Sequence, residues 1–221
     1  MRERQLEIIQ AAGDILTESG LAGLTTKNLA LKMGFAESAL YRHFKDKEEI
    51  IITMLHYLAN EMDDRLSVCC ANYDDPGQKL RVLFNDQFTF FENNPHFLVA
   101  VFAEGLLEQS KKVNEAIFKL MAIKKKHLLH IIREGQLNGN FESSVNGDDL
   151  VQILMGSFRL QMLQWRITNF SFNIVSKGNL FMESVFQLIK KQPTSSSKIG
   201  EFPVRDIGVR QFLLFTATTA E

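Results

Sequence analysis

Apolar residues recur at helical spacing along most of the chain, and the breaks between these stripes fall at glycine, proline and asparagine. The first stripe contains Ile9, Ala12 and Leu16, which share one face of a helix because three or four residues separate them. It predicts a helix over residues 2–19 that Gly20 ends. The same criterion predicts a long helix that begins at Asp46 and helices over residues 78–92, 96–107, 113–137, 148–170 and 174–191. The chain is therefore predicted to be all-α.

Two shorter helices are predicted between the first helix and Asp46. Thr25 and Thr26 each offer a hydroxyl to free amides at a helix start, and Gly34 stands where the helix end needs a residue that tolerates positive φ. The apolar pattern resumes at Glu37, with Leu40 and Phe44 facing inward and the helix extending to Phe44. The side chains left outside are Glu37, Ser38, Ala39, Tyr41, Arg42 and His43. This arrangement is a helix-turn-helix, whose second helix reads the major groove.

The same segment resembles the N-terminal signature of the tetracycline-repressor (TetR) family of bacterial transcription regulators. The resemblance rests on Thr25-Thr26, Gly34 and the run 40–44 (Leu-Tyr-Arg-His-Phe) followed by Lys47, and it covers roughly the first fifty residues. It implies a three-helix DNA-binding domain over residues 1–47 and a larger helical effector-binding and dimerisation domain over residues 48–191. Ala36 stands where the family often has serine, so the reading helix is capped by Ser38 or has no side-chain cap.

The exposed side chains of the motif suit different parts of a DNA duplex. Tyr41 and Lys47 are placed to contact phosphates, which positions a protein without reading sequence. Glu37 can accept a hydrogen bond from cytosine, and Ala39 can contact a thymine methyl group. The full set of expected DNA-contacting residues is Thr25, Thr26, Lys27, Ala36, Glu37, Ser38, Ala39, Tyr41, Arg42, His43 and Lys47.

Overall charge is the main objection to DNA binding. The net charge is −1, whereas DNA-binding domains are usually basic. Several basic residues nevertheless lie on or beside the motif, namely Lys27, Arg42, Lys45 and Lys47. A local patch and helix N-termini are enough to contact phosphates, so the charge weakens the DNA-binding interpretation without excluding it.

The last two predicted helices suggest a dimer surface. The helix over residues 148–170 is apolar around most of its circumference, so more than one neighbour must cover it. The resemblance favours a partner subunit, because the family dimerises through its last two helices; the alternative is a helix at the centre of a monomeric bundle. The expected interface residues are Leu150, Leu154, Phe158, Met162, Phe181, Val185, Phe186 and Ile189.

A ligand pocket is expected among the middle helices, mainly because of the family resemblance. Phenylalanine is concentrated between residues 84 and 118, and polar residues inside apolar stretches need partners when they are buried. Phenylalanines at helical spacing are, however, more often core residues. The candidate lining residues are Phe84, Gln87, Phe88, Phe91, Phe102, Gln161 and Trp165.

The sequence gives little support for catalysis, a metal or a cofactor. His127, His130 and Glu134 share a helix face, but the lysines at 124–126 disfavour a cation there. Cys69 and Cys70 are more typical of packing than of a thiol sensor, because no basic residue lies near them in the sequence. No glycine-rich phosphate loop and no nucleophile elbow is present. We therefore expect no enzyme activity, no cofactor and no metal.

Composition indicates a cytoplasmic location. The chain opens without a secretory signal, and no apolar run approaches the ~20 residues that a membrane span needs. The two cysteines are adjacent and form no disulfide framework. Residues 192–221 form a tail of uncertain structure: a Pro-Thr-Ser linker followed by an apolar run with strand-like content, to which no function is assigned.

The function expected from these features is that of a homodimeric repressor. It would bind a palindromic operator in double-stranded DNA and be released by a small apolar or amphipathic effector of unknown identity. Two alternatives remain. One is a DNA-binding division regulator like the nucleoid-occlusion members of the same family, and the other is a helical effector-binding bundle without DNA binding.

Overall fold

Capping side chains set the starts of the long helices. In the computed structural model, which describes residues 3–102 and 110–191, the carboxylates of Asp46 and Asp75 accept from the backbone amides three residues later, at 2.9 and 2.8 Å. Ser110 and Asn173 cap two later helices in the same way. Such caps satisfy amides that have no partner within the helix. Local sequence therefore determines where these helices begin.

The described residues contain nine helices and no strand, which confirms the all-α prediction. A single backbone bridge joins Phe141 to Lys190. In chain order the helices are α1 (Glu3–Gly23), α2 (Thr26–Met33), α3 (Glu37–Leu40), α4 (Lys47–Cys69), α5 (Pro76–Asn93), α6 (Pro95–Val101), α7 (Lys111–Leu137), α8 (Gly147–Ile167) and α9 (Ile174–Ile189).

Several helix ends differ from the predicted ones. The helix predicted over 78–92 begins earlier, at Pro76, because proline suits a first helical position whose amide has no partner. The helix predicted to end at residue 170 ends at Ile167, and Asn169 and Phe170 adopt positive φ. Gly20 has a φ of 62° and interrupts α1, as predicted.

An aromatic cluster forms the centre of the larger helical region. Phe84 of α5 lies between Phe158 of α8 and Phe186 of α9, with ring centroids 5.8 Å from each. Phe88 contacts the same Phe158 ring at 5.0 Å and packs against Gly178 of α9. A Cβ atom at position 178 would lie 2.6 Å from the Phe88 ring. Glycine at 178 therefore allows α5 and α9 to approach closely.

Helix α6 connects the N-terminal helices to this core. His96 of α6 is buried against Gly13 of α1, where an added Cβ would lie 2.7 Å from the imidazole. Burial lowers the pKa of His96. Helix α4 also contacts α1, α6 and α7. Both α6 and α4 therefore pack directly on α1.

Two predicted features lie outside the described residues. They are the end of the helix predicted over 96–107 and the whole tail over 192–221. None of the helices in the part of the chain that the structure describes is long and apolar enough to cross a membrane.

Candidate DNA-binding surface and effector cavity

The turn between α2 and α3 forms as the sequence predicts. The Thr25 hydroxyl accepts from the amide of Asn28 at 3.1 Å and caps α2. Gly34 ends α2 with a φ of 68°, and the amide of Phe35 then donates to the carbonyl of Ala30 at 2.8 Å. Helices commonly end at a residue in the left-handed conformation, and the next amide then donates back to a carbonyl of the last turn. This turn sets the angle at which α3 leaves α2.

Helix α3 is shorter than predicted. The helix spans only the four residues Glu37–Leu40, and Tyr41–His43 form a turn, so the predicted extension to Phe44 is wrong. The amide of Phe44 still donates to Leu40 at 3.0 Å, and both side chains are buried. Ala36 precedes α3 and gives no side-chain cap. The second of the two predicted possibilities, an uncapped reading helix, is the one observed.

Most of the candidate DNA-contacting side chains lie on the surface. Thr26, Ala39 and His43 are partly buried, and the exposed ones are Thr25, Lys27, Ala36, Glu37, Ser38, Tyr41, Arg42 and Lys47. We call residues 25–47 the reading motif. The structure contains no DNA, so their contacts to DNA remain predictions.

Thr26 links the two helices of the reading motif. Its hydroxyl donates to the Glu37 carboxylate at 3.3 Å and accepts from the Tyr41 hydroxyl at 3.5 Å. Both partners belong to the segment expected to enter the groove. Thr26 thus orients a candidate base-reading side chain and a candidate phosphate-binding side chain.

The start of α4 is fixed by reciprocal hydrogen bonds. The Asp46 carboxylate accepts from the amide of Glu49, and the Glu49 carboxylate accepts from the amide of Lys45 at 2.7 Å. Lys47 is exposed at the first position of α4. Next to it, Glu48 accepts from the Ser110 hydroxyl at 2.7 Å. This bond joins the start of α4 to the start of α7.

A largely apolar cavity of about 200 Å³ lies among the middle helices. Its walls come from α4, α5, α6, α7 and α8 and from Phe102. The lining residues are Met62, Gln87, Phe91, Leu98, Val101, Phe102, Leu120, Met121, Lys124, Gln152, Met155, Gly156, Phe158, Arg159 and Met162.

Only part of the predicted pocket lining faces this cavity. Gln87, Phe91 and Phe102 do, whereas Phe84, Phe88, Gln161 and Trp165 do not. Phe84 and Phe88 are fully buried in the aromatic cluster, and the Trp165 indole donates to the carbonyl of Phe172 at 2.8 Å. The structure places these residues outside the walls of this cavity, because helical spacing does not distinguish a cavity wall from a core.

Two cations line the cavity, and sequence reasoning missed both. The Lys124 ammonium lies 3.6 Å from the centroid of the Phe158 ring, and the Arg159 guanidinium lies 4.6 Å from that of Phe102. Removal from water and, to a smaller extent, the positive charge of Arg65 together lower the pKa of Lys124 to about 7. In the sequence Lys124 is one of three consecutive lysines, and nothing in that run indicates that α7 faces a cavity there.

The predicted dimer interface is largely inside the subunit. Phe181 is exposed, but the other seven predicted residues are buried in the chain's own core: Leu150, Leu154, Phe158, Met162, Val185, Phe186 and Ile189. Side chains already covered by their own subunit offer little area to a partner, so the burial of these seven disfavours their assignment to the interface.

Helices α8 and α9 expose a different set of apolar side chains. On α8 they recur every seven residues, as Ile153, Leu160 and Ile167, and on α9 they include Leu180 and Leu188. Together with Phe181 we call them the outer apolar face. A spacing of seven keeps residues on one side of a helix, so this stripe was detectable in the sequence.

The cysteines and histidines have partners that the sequence did not reveal. The Sγ atoms of Cys69 and Cys70 lie 3.5 Å apart. The contact with Cys69 lowers the pKa of Cys70, and the ammonium of Lys79 contributes, so a basic neighbour is close in space. His127 is paired with Asp63 at 2.6 Å, and no group of three or more metal-ligating side chains occurs within residues 3–102 and 110–191.

Comparison with known proteins identifies the family. The model for bacterial regulatory proteins of the tetR family matches residues 8–54, and the model for the YsiA-like protein C-terminal region matches residues 55–192. The chain belongs to the TetR family. This confirms the resemblance seen in the reading motif, and it establishes a DNA-binding transcriptional regulator.

Relatives of this TetR-family chain include both sequence and structural neighbours. The nucleoid occlusion factor SlmA of Shewanella halifaxensis is 25% identical over 167 residues, which cover 76% of this chain and 82% of that protein. The fatty acid degradation regulator FadR from Bacillus halodurans has the same fold, with a TM-score of 0.74, 20% identity, and coverage of 85% of this chain and 95% of that one. FadR from Bacillus subtilis, solved in complex with stearoyl-CoA, matches with a TM-score of 0.73 and 19% identity over 83% of this chain and 98% of that one.

Proposed function

We propose that the protein is a homodimeric repressor whose affinity for a palindromic operator falls when an apolar or amphipathic effector fills the cavity. The observation that carries the proposal is the position of α6. Leu98 and Val101 of α6 line the cavity, while His96 of the same helix packs on Gly13 of α1. A ligand in the cavity therefore contacts a helix that directly supports the DNA-binding domain.

A second connection runs through α4. Met62 of α4 lines the cavity, and Lys47 lies at the other end of the same helix, beside the Glu48 to Ser110 hydrogen bond. In a dimer the two reading motifs must sit about 34–36 Å apart to enter successive major grooves. An effector that prefers another separation shifts the population away from the DNA-binding form.

The outer apolar face supports the dimer. Its side chains lie on two adjacent helices and are exposed in the single subunit. A contiguous apolar surface of this kind usually marks an interaction site, and two copies related by a two-fold axis would cover each other's face. We therefore assign the dimer contact to this face.

The domain boundaries and location are part of the same proposal. Residues 1–47 would form the DNA-binding domain, residues 48–191 the effector-binding and dimerisation domain, and residues 192–221 a tail. We propose a cytoplasmic protein without catalytic activity, because its family consists of transcription regulators.

The effector class can be tested with straight-chain acyl compounds. The structural neighbour from Bacillus subtilis was solved with stearoyl-CoA, and the cavity here is lined mainly by apolar side chains. Footprinting on the intergenic DNA upstream of the protein's own gene should show one protected two-fold site, and decanoate or stearoyl-CoA should remove the protection. Protection that neither compound changes would contradict release by this effector class.

A second candidate function is that of a DNA-binding division regulator. The similarity to SlmA favours it, because the match extends over 167 residues and so continues well beyond the reading motif. Mapping of bound sites on the chromosome distinguishes the two functions. A repressor should occupy one or a few sites close to genes, whereas a division regulator should occupy many dispersed sites. Absence of any duplex binding would instead favour an effector-binding bundle without DNA binding.

A further inference from the structure

Lys124 is an unpaired cation at the wall of the cavity. Its neighbours Lys125 and Lys126 pair with aspartates at 2.7 and 2.8 Å, but Lys124 makes no ion pair within residues 3–102 and 110–191. It lies on α7 between two buried leucines, Leu120 and Leu128, each four residues away. The ammonium group rests on the Phe158 ring and not on an acid.

Within residues 3–102 and 110–191, the rest of the lining adds positive charge and no negative charge. Arg159 of α8 also lines the cavity, with its guanidinium over the Phe102 ring. The other lining residues are apolar except for two glutamines, Gln87 and Gln152. Among the residues that the structure describes, the cavity is lined by two cations and no acid. Opposite charges attract most strongly away from bulk water, so this lining complements an anion.

The groups that surround Lys124 do not supply this partner. From α4 it faces Arg65, whose guanidinium is bound to Asp86 of α5 at 2.6 Å. On the α8 side, Arg159 lines the same cavity as Lys124. The Asp86 carboxylate is therefore already paired, and Arg65 and Arg159 are both positive.

The geometry points to an effector that carries a carboxylate on an apolar body, with the carboxylate bound by Lys124 and the body enclosed by the apolar walls. This inference rests on the proposed function, in which the cavity takes the effector. A neutral head group such as an amide or a thioester would leave the Lys124 ammonium without a charged partner in a largely apolar wall. A charge-assisted hydrogen bond to Lys124 would distinguish the acid from these derivatives.

The inference includes a defined dependence on pH. Without ligand, Lys124 has a pKa of about 7, and an adjacent carboxylate should raise it. At pH 6 the ammonium is already charged, but above pH 7 binding must take up a proton. The dissociation constant for the carboxylate should therefore be about 30-fold higher at pH 8.5 than at pH 6.

The test compares decanoate, its neutral amide decanamide, stearate and stearoyl-CoA on the full chain. Binding is measured by isothermal titration calorimetry in buffers of different ionisation enthalpy and by fluorescence of the single tryptophan, Trp165. Decanoate should bind at least about tenfold more tightly than decanamide at pH 7, with net proton uptake above that pH. Lys124→Met should abolish both the preference and the proton uptake.

Two further variants make the result specific. Lys124→Arg carries a positive charge at every pH in this range. The variant should therefore retain the preference for decanoate, but its affinity should no longer depend on pH. Lys119→Met, a change of an exposed lysine on the same helix, should behave like the wild type. Should Lys124→Met fail to fold, Lys124→Arg and the wild-type pH profile test the same inference.

Different failures separate this inference from the proposed function. Equal binding of decanoate and decanamide, unchanged by Lys124→Met, would overturn the carboxylate assignment and leave the cavity as an effector site. Tighter binding of stearoyl-CoA than of stearate, the free acid of the same chain length, also unaffected by Lys124→Met, would overturn it in favour of recognition of the coenzyme A group. If none of the compounds binds, both the inference and this effector class fail.

Discussion

The reading motif and the outer apolar face are two exposed surfaces with opposite chemistry. The reading motif exposes Lys27, Arg42 and Lys47 among small and polar side chains. The outer apolar face exposes aliphatic side chains such as Leu180 and Leu188, which are 74% and 80% exposed. The reading motif suits a hydrated, charged partner that binds reversibly. The outer apolar face suits a partner that stays bound and keeps water away from these aliphatic side chains. In the proposed dimer the reversible contact would depend on the permanent one, because two reading motifs must be held at a fixed separation.

The largest expected effect comes from placing a charge on the outer apolar face. Leu160 is half exposed on α8, and in the proposed dimer it is buried. Leu160→Asp should raise the dimer dissociation constant by about a thousandfold, since an unpaired buried charge costs on the order of 4 kcal/mol. Sedimentation velocity should show monomers, and these should bind an operator half-site weakly.

A matched control distinguishes this effect from a general loss of solubility or stability. Val68→Asp places the same charge at an exposed apolar position on α4, outside the outer apolar face, and should leave the dimer intact. A dimeric Leu160→Asp protein would show that the interface lies on other helices.

The sequence predicted these two surfaces with unequal success, and the reason is physical. The turn of the reading motif depends on contacts within a few residues, such as the Thr25 cap and the positive φ of Gly34. Such contacts are encoded locally, so they could be predicted one by one. The length of α3 could not, because Leu40 and Phe44 have the same burial whether the chain between them is helix or turn.

The interface and the cavity depend on how distant helices meet. Helix α8 has apolar residues on several faces, and its own subunit covers the face that includes Leu154, leaving the face that includes Leu160 exposed. The sequence showed that some face needed a partner but not which one. The cavity position of Lys124 likewise follows from the packing of α7 against α8, and nothing near it in the sequence indicates that position.

A smaller effect is expected from the candidate base-reading residue of the reading motif. The Glu37 carboxylate is exposed and oriented by the Thr26 hydroxyl, and it can accept a hydrogen bond from a cytosine amino group. Glu37→Ala should relax the preference at one base pair of each half-site by about 1–3 kcal/mol. Non-specific binding should rise, because a negative charge leaves the groove. Binding-site selection with both proteins measures the change, and an identical consensus would remove Glu37 from base reading.

Lys47 tests the charged part of the reading motif. It lies exposed at the start of α4, where it is placed to neutralise a phosphate. Lys47→Ala should weaken binding to operator and random duplex alike and reduce the slope of log affinity against log salt by about one unit. Lys119→Ala, on α7, should leave the slope unchanged. An unaltered slope for Lys47→Ala would place this lysine outside the DNA interface.

The smallest expected effect concerns the missing cap of α3. Ala36 precedes this four-residue helix and offers no side-chain acceptor to its free amides. Ala36→Ser should supply one and stabilise the protein by about 0.5 kcal/mol, the low end for such caps because the helix is short and exposed. Slower amide exchange at Ser38, with the dimer unchanged, should accompany it, since the amide of Ala39 already donates to the carbonyl of Ala36 at 2.9 Å. Ala39→Ser adds the same hydroxyl inside the helix, where it cannot cap the helix start, and should give no such protection. Equal protection by both substitutions would mean that the hydroxyl acts through solvent and not as a cap.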